Sequence, residues 1–286
     1  MTINTLTPDG SWCWPVREPE ARGRWYTAPM PIDLSRSGKT LIITLNRPEA
    51  MNSIDPLMYD QLGEAWKELE GDDSVHVAVV TGTGEKAFCA GCDLVKSSED
   101  MANDWSRRRS DGRDHLTPEG IWKPVIAAVN GHCLAAGLAL ALGCDIRLAS
   151  PNATFGTMAA KRGIVAGGGQ TQRLARYIPF GKAMEMILFA ERIDAAEAER
   201  YGLVNRVFPQ AELLDTALEW AHRLTLNAPL AVRAMKKAAY EGGWEMPFRE
   251  GLRLEGKLYT EILKTEDAAE GPRAFAEKRQ PDFKGR

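Results

Sequence analysis

The chemistry available to this chain centres on two backbone amides. One lies in the run Ala87-Phe88-Cys89-Ala90-Gly91-Cys92-Asp93-Leu94 and the other in Asn130-Gly131-His132-Cys133-Leu134-Ala135-Ala136-Gly137. Each run sets small residues between an apolar strand pattern and an apolar helix pattern, so a substrate oxygen can approach main-chain N–H donors without meeting a side chain.

Side-chain catalysts around these runs are scarce. Cys89 and Cys92 have the C-x-x-C spacing of a dithiol or half a zinc site, but His132, Cys133 and Cys144 do not repeat a ligand spacing, so no metal is expected. The cysteines read as small residues of a tight turn. Gly82-Thr83-Gly84 follows a strand and Gly167-Gly168-Gly169 precedes a helix, yet neither completes G-x-G-x-x-G. A nucleotide-dependent oxidoreductase rests on that fragment alone, and the triplet reads instead as close packing of a helix on an active-site loop. His76 at a strand edge and His222 on a helical face read as structural or solvated, and His132 packs beside the Asn-Gly turn. His115 follows Asp111, Arg113 and Asp114 in a polar loop between the two amide runs. That loop can roof a pocket, where an imidazole would act as acid or base; a solvated histidine is the plain alternative.

The elements that must hold these groups show in the apolar pattern. Val75 to Thr81, Pro124 to Val129 and Asp145 to Ala149 are short apolar runs bounded by Gly, Pro or Asn, as strands buried on both faces are. Lys39 to Leu45 alternates like a strand, and Ser53 or Asp55 can cap an amphipathic helix running to about Leu69. With helical patterns between the strands, this predicts an α/β stack of repeated strand-strand-helix turns. Beyond Arg173 the pattern is almost wholly helical. Three regions follow: an N-terminal arm over 1–32, rich in Pro, Gly, Arg and Trp; a core over 33–214; and a helical region over 215–286, interrupted at Pro229 and Gly242-Gly243. The indoles of Trp12, Trp14 and Trp25 suit docking on a neighbouring subunit.

A chain of 286 residues can bury a large core, and a net charge of −3 with no basic stripe argues against nucleic acid and anionic membranes as partners. No signal peptide is read at the start, and five cysteines, an odd number, suit reduced thiols, so a cytoplasmic address is expected. The apolar stretch Val125 to Cys144 is broken by Asn130-Gly131-His132 and divides into a buried strand, a turn and a buried helix rather than a bilayer span.

Taken together, Leu45-Asn46-Arg47-Pro48-Glu49-Ala50-Met51-Asn52, Ala87 to Leu94, Ala128-Val129-Asn130-Gly131, Cys144-Asp145-Ile146-Arg147-Leu148-Ala149 and Gln172-Arg173-Leu174 resemble the crotonase superfamily, whose best-known member is enoyl-CoA hydratase. The resemblance runs from about residue 37 to Lys278-Arg279-Gln280-Pro281. It implies a spiral of ββα turns with a C-terminal helical trimerisation region, assembled as a homotrimer or a dimer of trimers. It also implies an acyl-CoA thioester as substrate, coenzyme A entering as part of it and no other cofactor. The thioester oxygen would rest between the N–H groups of Cys92 and Ala136. Arg47 would lie near the CoA phosphates, Ala90, Cys92, Asp93 and Leu94 would line the pantetheine and adenine path, and Phe275 and Lys278 would approach CoA on a neighbouring subunit.

One departure stands out. The positions matching the two water-activating glutamates of the hydratases are Ala139 and Ala159, beside the acyl group and unable to move a proton. Asp145 reads as structural, while Glu119, Glu185 and Glu191 have no fixed direction. The resemblance therefore implies an acyl-CoA enzyme in which isomerase, hydrolase or other lyase chemistry is favoured over efficient hydration, with His115 or a carboxylate of the roof loop handling protons. A catalytically weak acyl-CoA-binding paralogue is the alternative.

Overall fold

Main-chain ladders and two buried asparagines build the frame that carries both amide runs. The computed structural model describes residues 30–93 and 114–286. Of the two compact units, Met1–Met30 and Pro31–Arg286, the second contains every element below.

β1 (Ile32–Ser37) and β2 (Thr40–Leu45) form an antiparallel hairpin, turned at Gly38 where φ is +57°. β2 then pairs in parallel with β3 (Val77–Gly82), and β3 with β5 (Val125–Val129), β5 with β7 (Ile146–Ala149) and β7 with β10 (Arg206–Val207). β3 and β5 are buried at every position because both sheet faces are covered. Val77 and Val79 pack against Leu213, Ala217 and Ala221, whereas Ala78 and Val80 enter the main core, as the two-residue period of a strand requires.

A second sheet stacks short strands in step with the first. β4 (Ala87–Cys89), β6 (His132–Leu134) and β8 (Thr154–Gly156) are parallel, with β9 (Ile193–Asp194) antiparallel to β8. Each long parallel strand is thus followed by a short one, β3 by β4, β5 by β6 and β7 by β8. This is the spiral of strand-strand-helix turns expected from the sequence.

Asn52 and Asn130 tie the two layers where the strands end. Asn130 Oδ1 accepts from Gly82 N at 3.1 Å while its Nδ2 donates to Gly82 O at 2.8 Å, so one side chain completes the ladder of β3. Asn52 Nδ2 donates to Thr83 O at 3.0 Å and Ala87 O at 2.8 Å, and its Oδ1 accepts from Arg47 N. The Gly82-Thr83-Gly84 fragment is therefore held by asparagine amides.

Among the described residues the α-helices are α1 (Pro56–Gly71), α2 (Ala136–Gly143), α3 (Gln170–Tyr177), α4 (Phe180–Phe189), α5 (Ala195–Arg200), α6 (Gln210–Thr225), α7 (Pro229–Lys237), α8 (Phe248–Ile262) and α9 (Glu266–Glu277), with a π-helical turn at Ala238–Glu245. Of the two candidate caps for α1, Asp55 takes the place, its carboxylate accepting from Met58 N at 2.9 Å. Met58, Leu62, Ala65 and Leu69 then bury one helical face, each large side chain contributing about 1.5–3 kcal/mol.

Two boundaries differ from the sequence reading. β1 begins at Ile32, and the division at 214/215 falls inside α6, whose Leu213, Ala217 and Ala221 pack on the sheet. α6 belongs to the core. Pro229 opens α7 rather than interrupting a helix, since the first helical position needs no N–H. Among the described residues no helix is long and apolar enough to cross a membrane, and Val125 to Cys144 divides into β5, β6 and α2.

Candidate active site

Main-chain pairing aims the first amide. Ile54 N donates to Gly91 O at 2.8 Å, and Asp93 N donates to Ile54 O at 2.9 Å, forming a parallel bridge between Ile54 and Cys92. In such a bridge the flanking residues bond the partner, so the N–H of Cys92 points away from Ile54. No acceptor for it exists among the described residues.

The second amide is a helix end. Ala136 is the first residue of α2, where an N–H has no intrahelical acceptor, and no side chain caps it. Ala135 before it is held at φ 49° and ψ −115°, a conformation that costs an L residue about 1–3 kcal/mol. Ala135 N donates to Gly156 O at 2.8 Å and its carbonyl accepts from Ala139 N, so neighbours on both sides enforce the strain.

The two runs touch. A Cβ at Gly137 would fall 2.2 Å from Cys89 O, which only glycine avoids. A Cβ at Gly91, where φ is +115°, would lie 3.0 Å from Ala135 Cβ and 3.8 Å from Ala136 N. Two unengaged N–H groups thus project from adjoining backbone, the second at the positive end of a helix dipole.

Next along α2, Ala139 is fully buried and Ala159 nearly so. Gly168, at φ +61°, packs directly over the first: a Cβ there would come 2.8 Å from Ala139 Cβ and 3.0 Å from Leu116 Cδ2. The glycine triplet brings its loop onto α2, as the sequence suggested. Gly168 also lines a cavity of about 830 Å³, together with Asp114, Glu119, Trp122, Arg173 and Trp244.

Asp114 is a carboxylate of the cavity wall fixed in direction. Its Oδ1 accepts from Tyr59 Oη at 3.2 Å and from Leu116 N at 3.1 Å, and the Tyr59 oxygen accepts in turn from His115 N. Burial pushes the Cys92 thiol up to about 11, with the negative charge of Asp114 adding to the rise. His115 faces elsewhere: a Cβ on Gly63 of α1 would meet its ring at 2.7 Å, its ring centroid stands 5.3 Å from that of Tyr59, and its carbonyl accepts from Trp66 Nε1. The imidazole packs on α1 and is not part of the cavity lining.

Arg47 is engaged within the chain. It pairs with Asp93 at 2.9 Å and Asp55 at 3.5 Å and donates to Ser53 O at 2.6 Å, with its side chain only 11% exposed. Ala90 N donates to Met51 O, which fixes that run at the approach to the amides. Phe275 is 87% exposed on α9 and Lys278 ends that helix on the surface. Leu94, Asp111 and Arg113 lie outside the described residues.

The remaining candidates are accounted for locally. Asp145 Oδ2 accepts from Val125 N and from Lys236 Nζ, both at 2.7 Å, a structural role. Glu185 pairs with Lys182, and Glu119 and Glu191 are exposed. His132 Nδ1 bonds Thr154 Oγ1 at 2.8 Å, and burial holds its pKa below the usual range. Burial raises the Cys89 and Cys144 thiols to about 12, so both stay protonated at neutral pH. Sequence reasoning passed over the pairing of Tyr59 with Asp114; the two are 55 positions apart, and helical periodicity marks Tyr59 only as core.

Comparison with known proteins identifies the family. Residues 36–286 match the family model described as Enoyl-CoA hydratase/isomerase. The chain is 44% identical over 259 residues to (E)-benzylidenesuccinyl-CoA hydratase of Thauera aromatica, covering 90% of this chain and 100% of that one. It is likewise 44% identical over 260 residues to carnitinyl-CoA dehydratase of Salmonella enteritidis, covering 89% and 98%. Among solved structures, an enoyl-CoA hydratase from Bacillus anthracis superposes with a TM-score of 0.84 at 37% identity, covering 90% of this chain and 100% of that one. One from Mycobacterium tuberculosis gives 0.83 at 36%, with the same coverage.

Proposed function

Because this chain belongs to the enoyl-CoA hydratase/isomerase family, we propose that it binds an acyl-CoA thioester with the carbonyl oxygen between the N–H groups of Cys92 and Ala136 and stabilises the enolate formed there. Negative charge moves onto that oxygen as the enolate forms. Donors already in place contribute about 3–4 kcal/mol each, because no reorganisation is needed at the moment of reaction.

Two unengaged amides beside two alanines carry the reading. Addition of water needs a group to activate the water and one to protonate carbon, and the methyls of Ala139 and Ala159 do neither. Two relatives are named for hydration or dehydration, so shared descent argues for that reaction, and the alanines argue for isomerisation, hydrolysis or other lyase chemistry. Crotonyl-CoA decides between them. Slow or no hydration is expected, and turnover at the rate of an efficient hydratase would refute the reading.

The same alanines favour one second reading, a binding protein with little catalysis. Tight acyl-CoA binding with no product from a panel of thioesters would establish it. Assembly as a homotrimer or a dimer of trimers is supported by Phe248, Leu252, Tyr259 and Leu263, which leave an apolar face of α8 open in the single chain. Phe275 and Lys278 would then reach the CoA of a neighbouring subunit, and sedimentation of the purified protein tests the assembly.

A further inference from the structure

We propose that the Asp114 carboxylate is the proton carrier of this site, standing in for the carboxylates that Ala139 and Ala159 lack; this rests on the enolate reading above. Leu116 and Ala139 both abut Gly168, and the N–H of Leu116 is held by Asp114 Oδ1. The acid is therefore tied to a residue whose side chain meets the same glycine as the Ala139 methyl. It lines the same cavity as Gly168, the glycine that packs on Ala139 of α2, and its negative charge adds to the burial that raises the Cys92 thiol.

The way it is held suits a base. Its two donors, the Tyr59 hydroxyl and a main-chain N–H, are neutral and both engage Oδ1. Among the described residues nothing donates to Oδ2 and no Lys or Arg pairs with the carboxylate, in contrast to Asp145, which is taken up by Lys236 and Val125 N. One oxygen positions the group and the other remains open to a substrate proton.

The step needs no co-reactant. Oδ2 takes a proton from the carbon next to the thioester carbonyl; the C–H electron pair becomes a C=C bond, and the carbonyl pair moves onto the oxygen between the two amides. The carboxylic acid so formed returns the proton to the same carbon, or to the far end of the conjugated system, and the C=O bond is restored. A single base that gives back what it takes shifts a double bond in an unsaturated acyl-CoA and exchanges the α-proton of a saturated one.

Uptake of deuterium from heavy water into butyryl-CoA, read by mass spectrometry, tests this alongside calorimetric affinity for butyryl-CoA. Asp114→Asn keeps the shape and an Oδ1 acceptor. It is expected to slow exchange by about 10²-fold or more with affinity and melting temperature held. If that variant does not fold, Tyr59→Phe, which removes one of the two bonds holding the carboxylate, should slow exchange several-fold at unchanged affinity. Exchange by Asp114→Asn within about tenfold of wild type overturns the assignment and leaves the enolate reading intact, as does loss of exchange in His115→Ala alone. A wild-type chain that binds butyryl-CoA but takes up no deuterium also overturns it, and one with no affinity for the thioester removes the underlying reading as well.

Discussion

Gly91→Ala separates the two contributions that the amide runs make, one to stability and one to chemistry. The new methyl would stand 3.0 Å from Ala135 Cβ, 3.4 Å from Leu134 O and 3.8 Å from Ala136 N, on a residue whose φ is +115°. An L residue at such an angle costs about 1–3 kcal/mol, which in a domain of this size lowers the melting temperature by about 2–4 °C per kcal/mol. The effect on chemistry should be larger. A methyl wedged between the runs screens the Ala136 donor or moves it, and loss of one such donor is worth about 3–4 kcal/mol, or about 10²–10³ in kcat. Deuterium uptake into butyryl-CoA measures the rate, calorimetry the affinity, and a thermal scan the fold. Exchange within about tenfold of wild type in a variant whose melting temperature has dropped as expected would show that the peptide nitrogens of 92 and 136 are not the stabilising donors.

Three further outcomes follow from the same geometry. Ala139→Glu is expected to destabilise the chain by about 1–3 kcal/mol without accelerating crotonyl-CoA hydration, because Gly168 packs over that fully buried methyl; a tenfold gain in hydration would contradict it. Arg47→Met should cost about 1–3 kcal/mol in urea denaturation, since it removes the ion pairs at 2.9 Å to Asp93 and 3.5 Å to Asp55 and the bond to Ser53 O, and an unchanged midpoint would mean these contacts matter little. Burial, helped by the charges of Lys39, Arg233 and Lys123, lowers the His76 pKa to about 4 from the ordinary 6.5. The unfolded chain therefore binds the extra proton first as pH falls, and stability is full above pH 6.5 and declines from there toward pH 4. Melting curves of His76→Gln should lack this part of the decline, and an unchanged slope would remove His76 as its source.

What the sequence revealed followed from burial on two faces. β3, β5 and β7 read as apolar runs because both sides of the sheet are covered, and the small residues of the two amide runs marked close backbone approach before any contact was visible. β1 escaped notice because five of its six positions are exposed; its ladder to β2 holds it, and ladders leave no trace in hydrophobicity. β4, β6 and β8 have three residues each, too few for a period of two to show. α6 merged with the helical tail because Ala217 and Ala221 are small and only their contact with the sheet marks them as core. Within the roof loop, His115 drew attention as the residue with the familiar titration range. Its direction depends on the fit of its ring to Gly63 and Tyr59, and the adjacent aspartate takes the cavity side.

If the amides of Cys92 and Ala136 hold the thioester oxygen as proposed, the pairing of Ile54 with Cys92 and the strained entry to α2 put the electrophilic centre on atoms that every amino acid except proline possesses. Small replacements at positions 92 and 136 should therefore spare activity, whereas a large side chain at the buried Ala136, or any Cβ at Gly91 or Gly137, should silence it through packing rather than through loss of a donor. A scaffold with that tolerance can trade one acid for another across its pocket while the means of bearing the developing charge passes unchanged from variant to variant.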